Sequence, residues 1–430
     1  MMFYEETLLY GRYIVCEKED IQQLPVNVKV VPAILEKRCG RCQSKILKKW
    51  QLPNNMSYCW ICAKMGRITS NNYLVTMEEP NNFKNNENPC IWEGKLTKLQ
   101  QTISDQQLTA LSTKTSHLTY AVTGAGKTEM LFPMLTQAII DNMRIAVVAP
   151  RIDVVIELQK RIQAAFNIPF VTLYGGSKDE YKYTQLVIAT THQLMGFKEA
   201  FDVIVLDEAD AFPYAGNEVL EHVTKQALKK TGICFYLTAT LNQQLKRLVQ
   251  KNEIAFSTLP KRFHGYALPN ITIKFIYNWR LKLPSKIIRH VRRLKKLQIK
   301  FLLFVPEVTD VEMIVSKLRK VDINVLGTYA ADEKRLEKVQ LMRDEKIDGL
   351  VTTTILERGV TFKGIDVLIL GGDEKIFTAP TIIQIAGRCG RSIERPTGTV
   401  TAYVREKTKQ LNIAIAEINY LNVLGKKYDM

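Results

Sequence analysis

The chain has 430 residues, enough for two or three domains that each bury a core. Its 46% apolar and 24% charged residues are those of an ordinary folded protein and exclude a disordered or collagen-like chain. The net charge of +17 predicts a polyanionic partner, nucleic acid first and an anionic membrane surface second.

No apolar run approaches the roughly 18 residues of a spanning helix. The start, Met1 to Glu19, carries acids and Tyr rather than a basic and then an apolar segment, so a cytoplasmic chain is expected. Residues 1–35 read as a leader with short strands at Tyr13–Cys16 and Val26–Val31, closed by Pro32.

Next comes Cys39-x2-Cys42, sixteen intervening residues, and Cys59-x2-Cys62, the four-thiolate zinc spacing. Eight cysteines in the whole chain are too few for a disulfide scaffold, and a redox pair is the alternative to the metal. Residues 36–67 therefore form a zinc module, with eight Lys or Arg against one acid and with Trp50, Tyr58 and Trp60 among them. It serves as a folding clip or as a nucleic-acid reader; both remain open. Residues 68–94, with seven Asn between Ser70 and Glu93, read as a linker. Cys16 and Cys90 lack partners at metal spacing and are expected to be small buried apolar residues.

From Leu96 onward strands and helices alternate, the sign of a parallel sheet covered on both faces. The run His117–Val122 predicts a strand and Thr128–Ile140 a helix, joined by Thr123-Gly124-Ala125-Gly126-Lys127-Thr128. Such a loop turns consecutive backbone N–H groups around a phosphate; Lys127 reaches the β/γ oxygens and the Thr128 hydroxyl ligates magnesium. Ala121 stands where the loop's first Gly is usual.

Further strands end in Pro150-Arg151, in Gly175-Gly176 and in Thr190-Thr191-His192, all expected on the ligand side of the sheet. The strand Val203–Leu206 runs into Asp207-Glu208-Ala209-Asp210, where Asp207 would hold magnesium and Glu208 would polarise the attacking water. Ile233–Leu237 runs into Thr238-Ala239-Thr240.

Trp279 to Lys300 holds nine Lys or Arg and no acid, with Ile287, Ile288, Val291, Leu294 and Leu297 on one helical face. It is a solvated helix face or a phosphate-tracking one. A second α/β unit follows, with strands at 301–305, 324–326, 349–352 and 367–370 and helices at 310–319 and 332–343. It lacks a second phosphate loop. Thr352 to Gly359 and Gln384 to Arg391 instead place arginines at its turns.

Taken in order, Leu96–Gln100, the phosphate loop, Asp207–Asp210, Thr238–Thr240, Thr352–Gly359 and Gln384–Arg391 resemble superfamily 2 (DEAD/DEAH-like) helicases over residues 95–405. With the four-cysteine module ahead of a compact core, the chain is most similar to DNA-uptake ATPases of competence and more distantly to primosomal restart helicases. The resemblance implies an α/β fold of two tandem RecA-like parallel-sheet domains, 95–265 and 279–405, after the zinc module and before a C-terminal segment, 406–430.

It implies that Gln100 recognises adenine and that Thr123 to Thr128 hold ATP. Asp207 and Glu208 serve the metal and the water. Thr238 and Thr240 couple hydrolysis to movement, Arg358 and Gly359 line the lobe interface, and Arg388 and Arg391 act as arginine fingers. ATP, Mg²⁺ and Zn²⁺ are the implied cofactors. Single-stranded DNA, other competence proteins and a membrane DNA channel are the implied partners, with a peripheral position at the inner membrane face and oligomerisation left open. Gln384-Ile385, where RNA-remodelling members have His-Arg, leans toward translocation. A DEAD-box RNA helicase, favoured by the literal Asp-Glu-Ala-Asp, and an ATP-gated docking scaffold are the alternative readings.

Overall fold

A computed structural model describes residues 5–177 and 179–428; the first four residues of the expected leader and the last two of the C-terminal segment lie outside it. The chain divides into two compact units, one ending at Thr258 and one beginning at Leu259, with the loop 121–126 belonging to the second.

The first unit opens with β1 (Ile14–Cys16), β2 (Lys29–Pro32), the short hairpin of β3 (Ile34–Leu35) and β4 (Arg38–Cys39), and β5 (Tyr73–Thr76). β5 is the central strand of an antiparallel sheet ordered β1-β5-β2. The stretch expected to be a linker thus begins as core structure. Its Asn-rich average hides the run Tyr73-Leu74-Val75, whose Leu74 and Val75 are fully buried.

Seven further strands follow: β6 (His117–Ala121), β7 (Ile145–Ala149), β8 (Phe170–Leu173), β9 (Leu186–Thr190), β10 (Phe201–Leu206), β11 (Leu228–Thr238) and β12 (Ala255–Leu259). They form one sheet ordered β12-β6-β11-β10-β7-β9-β8, parallel from β6 through β8. Every residue of β6, β7 and β9 is buried, as strands covered on both faces require. Helices Lys98–Ser112, Phe132–Ile140 and Ile152–Ala165 cover one face.

The other face is covered by helices Glu218–Ala227 and Gln243–Gln250 together with the four cysteines, Ile46 and Ile68. The zinc module therefore shares one apolar core with the sheet. Because the strands are parallel, the turns after β6 to β11 gather at one edge.

The helix expected over Thr128–Ile140 is broken into Lys127–Met130 and Phe132–Ile140. Pro133 is the reason: it has no N–H to donate, and its ring crowds the carbonyl of residue 129. Leu131 bonds back to Thr128 at 3.1 Å, a tighter turn.

The second unit carries β13 (Ile271–Phe275), β14 (Phe301–Phe304), β15 (Val325–Thr328), β16 (Gly349–Thr352), β17 (Asp366–Leu370) and β18 (Val400–Val404), all parallel in the order β13-β18-β17-β14-β16-β15. The segment 406–430 is mostly one helix, Lys409–Lys426, packed on helix Ala379–Ala386. In the basic helix Ser285–Lys296, Ile287, Val291 and Leu294 are buried, whereas Leu297 lies past its end and is exposed. Among the described residues no helix is long and apolar enough to cross a membrane.

Candidate nucleotide and zinc sites

β6 delivers the loop 121–126 at its carboxyl end. Gly124 and Gly126 have φ of 78° and 73°, the left-handed conformation that lets successive N–H groups point inward. The Thr123 hydroxyl is buried and has no hydrogen-bond partner among the described residues, as a cradle for an added acceptor requires. Thr128, next to Lys127 at the start of its helix, is buried as well.

β10 delivers the acidic pair. Asp207 bonds through its N–H to Val148 on β7 at 2.8 Å, and its carboxylate accepts the Glu208 N–H at 2.8 Å. Burial pushes the Asp207 carboxyl up to about 6, with Lys127 opposing and Glu208 reinforcing the shift. A divalent cation bound there would return it to the ionised form. Glu208 sits at φ 53°, a left-handed conformation that costs a non-glycine residue about 1–3 kcal/mol. The orphan hydroxyl of Thr123, the left-handed loop and the buried carboxylate near Lys127 fit a nucleotide with Mg²⁺.

The turn after β11 is tied to the acidic motif. The Thr240 hydroxyl donates to Asp210, the Ala209 N–H donates to Leu237 at 3.0 Å, and the Thr238 hydroxyl donates to the Thr240 carbonyl at 2.5 Å. These bonds join the Asp207–Asp210 turn to 238–240. Gln100 lies in a reciprocal helix cap: its side chain accepts the Thr97 N–H at 2.8 Å, and the Thr97 hydroxyl accepts the Gln100 N–H at 3.4 Å.

Of the turns expected on the ligand side of the sheet, Gly175 and Gly176 are exposed, Arg151 is half-buried, and Pro150, Thr190 and Thr191 are buried. Thr190 holds the N-cap position of the short turn Thr191–Gly196 without a side-chain cap bond, and His192 within that turn is half-exposed.

In the second unit, Arg388 donates to the carbonyls of Glu357, at 2.8 Å, and Val360. Arg391 donates to Gly387 at 2.8 Å, and Arg358 lies 3.6 Å from the Glu357 carboxylate. Gly359 takes φ 72°. The two arginine-bearing segments, 352–359 and 384–391, are thus joined to one another by Arg388.

The sulfur atoms of Cys39, Cys42, Cys59 and Cys62 all lie within 4.8 Å of one another, with Cys39–Cys62 at 3.7 Å and Cys42–Cys59 at 3.6 Å. Tetrahedral zinc with Zn–S near 2.3 Å needs sulfur–sulfur edges of about 3.8 Å. The donor set and the spacing fit zinc.

Two sequence-family models match the chain: DEAD/DEAH box helicase over residues 97–248 and helicase conserved C-terminal domain over residues 283–392. The competence protein ComFA of Bacillus subtilis is 37% identical over 91% of this chain and 86% of its own length. ComFA of Streptococcus pneumoniae is 37% identical over 89% and 90%. The chain belongs to the ComFA family. It is an ATP-hydrolysing enzyme of the superfamily 2 helicase type.

Solved structures share the fold at low identity. Saccharomyces cerevisiae Dbp5 bound to RNA and ADP BeF3 matches with a TM-score of 0.58 and 16% identity, over 76% of this chain and 88% of that one. Mycobacterium smegmatis helicase Lhr bound to ssDNA and AMP-PNP matches with a TM-score of 0.57 and 13% identity, over 76% and 50%.

Three supporting residues of this ComFA-family chain escape a reading by motif. Arg41, between two zinc ligands, is buried; it donates to Cys62 Sγ at 3.4 Å and to the carbonyls of Cys62 and Gly66 at 3.1 and 2.8 Å. It places a cation beside a site that would carry four thiolates. Its carbonyl accepts from Gln226 at 3.1 Å, tying the module to the sheet.

Arg262 donates to the carbonyls of Cys389 and Gly390 at 2.8 and 2.7 Å and so holds the loop that carries Arg388 and Arg391. Arg144, at the amino end of β7, pairs with Glu79 in a fully buried ion pair. Only the x in Cys-x-x-Cys gave any hint of Arg41; the other two pair with residues over sixty positions away.

Proposed function

We propose that the chain is an ATP-driven motor that moves single-stranded DNA during the uptake of transforming DNA, working at the inner face of the membrane. The observation that carries this reading is the 37% identity to two competence proteins across about nine-tenths of the chain. The site supports it. Thr123 to Thr128 would hold the triphosphate, Asp207 the magnesium and Glu208 the water, with Gln100 at the adenine. Magnesium would neutralise charge building on the transferred phosphate.

Loss of the γ-phosphate would alter the Asp207–Asp210 turn, and the Thr240–Asp210 bond would carry that change to 238–240. Arg388 and Arg391 are proposed as the fingers. Arg388 also braces 357–360 by its two backbone bonds, which makes it as much a positioning residue as a charge donor. The net charge of +17 supports a strand held by its phosphates, with affinity that falls as salt rises.

Phosphate release measured with single-stranded DNA, duplex DNA and RNA tests the reading. Single-stranded DNA is expected to stimulate most, and Lys127→Ala to lower the stimulated rate by about 10²–10³. Stimulation by poly-U alone would turn the reading to an RNA helicase, and an unchanged rate in Lys127→Ala would end it.

A further inference from the structure

The zinc module contains the one tryptophan of the chain that stands out in solvent. Trp60 is 61% exposed, while Trp50 and Trp92 are half-buried and Trp279 is buried. Trp60 lies between Cys59 and Cys62, which are buried and whose sulfurs belong to the metal cluster, so its backbone is held rigidly while its ring is presented outward.

Lys48, Lys49, Lys64 and Arg67 are exposed on the same module, and none has an ion-pair partner among the described residues. The turn that carries Lys48 and Lys49 leads into Trp50, whose carbonyl accepts the Tyr58 N–H at 3.0 Å, one residue before the zinc ligand Cys59.

The place of this surface on the first unit gives it a meaning. The short turn Ala63–Met65, directly after the last zinc ligand, packs on Thr191–Gly196, the turn after β9. Lys64 is near enough to His192 to add to the effect of burial in lowering its pKa. The turns after β7, β8 and β9 share the carboxyl edge of the sheet, and the zinc loop extends that edge.

We infer that the zinc module is a second strand-binding site, in which Trp60 stacks on an unpaired base while Lys64 and its neighbours hold the adjoining phosphates. The inference rests on the single-strand reading above. It follows from the chemistry of the surface: a flat aromatic ring among cations takes any unpaired base by its π-face, whereas a duplex hides that face. One acid, Glu36, among eight cations argues against a basic or neutral protein surface as the occupant.

The test uses the full zinc-loaded chain with labelled oligothymidylate and oligouridylate, read by fluorescence anisotropy. Trp60→Ala is expected to weaken binding between about five- and a hundredfold, as loss of one stacked base does, with the salt slope unchanged. Trp60→Phe should restore most of the affinity. Lys64→Gln should lower the log–log salt slope by about 0.7, one phosphate on a single strand. Binding by the parent should quench tryptophan fluorescence, and Trp60→Ala should lose that quench.

Metal content and thermal midpoint, equal in parent and variants, show that the module remains folded. Parental affinity in Trp60→Ala with its zinc intact would overturn the inference and leave the motor reading standing. A parent that binds neither oligomer would overturn the motor reading and this inference with it.

Discussion

His117 shows how a single buried group can carry a pH signature. It begins β6, and its ring nitrogens meet Ser257 at 2.8 Å and Thr119 at 3.2 Å, both neutral partners. Burial lowers its pKa to about 4 from the usual 6.5, so the folded chain holds it uncharged. The unfolded chain takes up the proton first as pH falls. The stabilisation is therefore complete above about pH 6.5 and is lost as pH drops toward 4, to a total of about 3 kcal/mol. Asp207 titrates over the same interval with the opposite sign, because its raised carboxyl is a cost above pH 6 that acid relieves. Urea unfolding of wild type and His117→Gln at pH 7 and pH 4.5 separates the two. The stability difference between the chains should shift by about 2–3 kcal/mol in favour of the variant at the lower pH; a constant difference would refute the assignment.

At the level of elements, the Arg144–Glu79 pair ties the segment after β5 to the start of β7. Arg144 immediately precedes β7, and Glu79 follows β5 by three residues. The guanidinium also meets the Tyr181 hydroxyl at 2.7 Å and the carbonyls of Tyr10 and Thr184 at 3.1 and 3.2 Å, while Tyr183 donates to Glu79. A buried ion pair stabilises little against an apolar substitute, yet removal of one partner strands the other charge. Glu79→Gln should thus lower stability by about 3–5 kcal/mol, measured by denaturant midpoint and slope. The double variant Glu79→Leu, Arg144→Met should recover much of the loss. A double variant no better than the single one would mean that the pair supplies net stability.

For the whole molecule, the shared core of four-cysteine module and parallel sheet predicts that metal binding stabilises the ATPase unit. The cysteines pack in one apolar cluster with Leu194, Phe197, Leu220 and Leu245, which lie on or over the sheet. Structural zinc contributes on the order of 10 kcal/mol to the folding of such modules. Its removal by a chelator should expose that face and lower the thermal transition of the nucleotide-binding unit, along with any transition of the module itself. Calorimetry in the presence and absence of chelator reads this directly. A nucleotide-binding transition unmoved by metal loss would show that the module folds as a separate body.

Local geometry was legible wherever one short stretch of chain makes it. The phosphate loop, the acidic strand end and the four cysteines each need particular atoms at a set spacing, and spacing is a property of the chain itself. The parallel strands were legible for a similar reason, since apolar runs such as Ile145–Ala149 read the same in sequence and in the sheet. Tertiary structure alone decided that Tyr73–Thr76 is a central strand, that residues 409–426 form a packed helix, and that Arg41, Arg144 and Arg262 are structural. It also placed the turn Ala63–Met65 beside the turn after β9. In each of these cases the deciding energy is burial against, or hydrogen bonding to, residues distant in the chain, and such partners are set only when the sheet has formed.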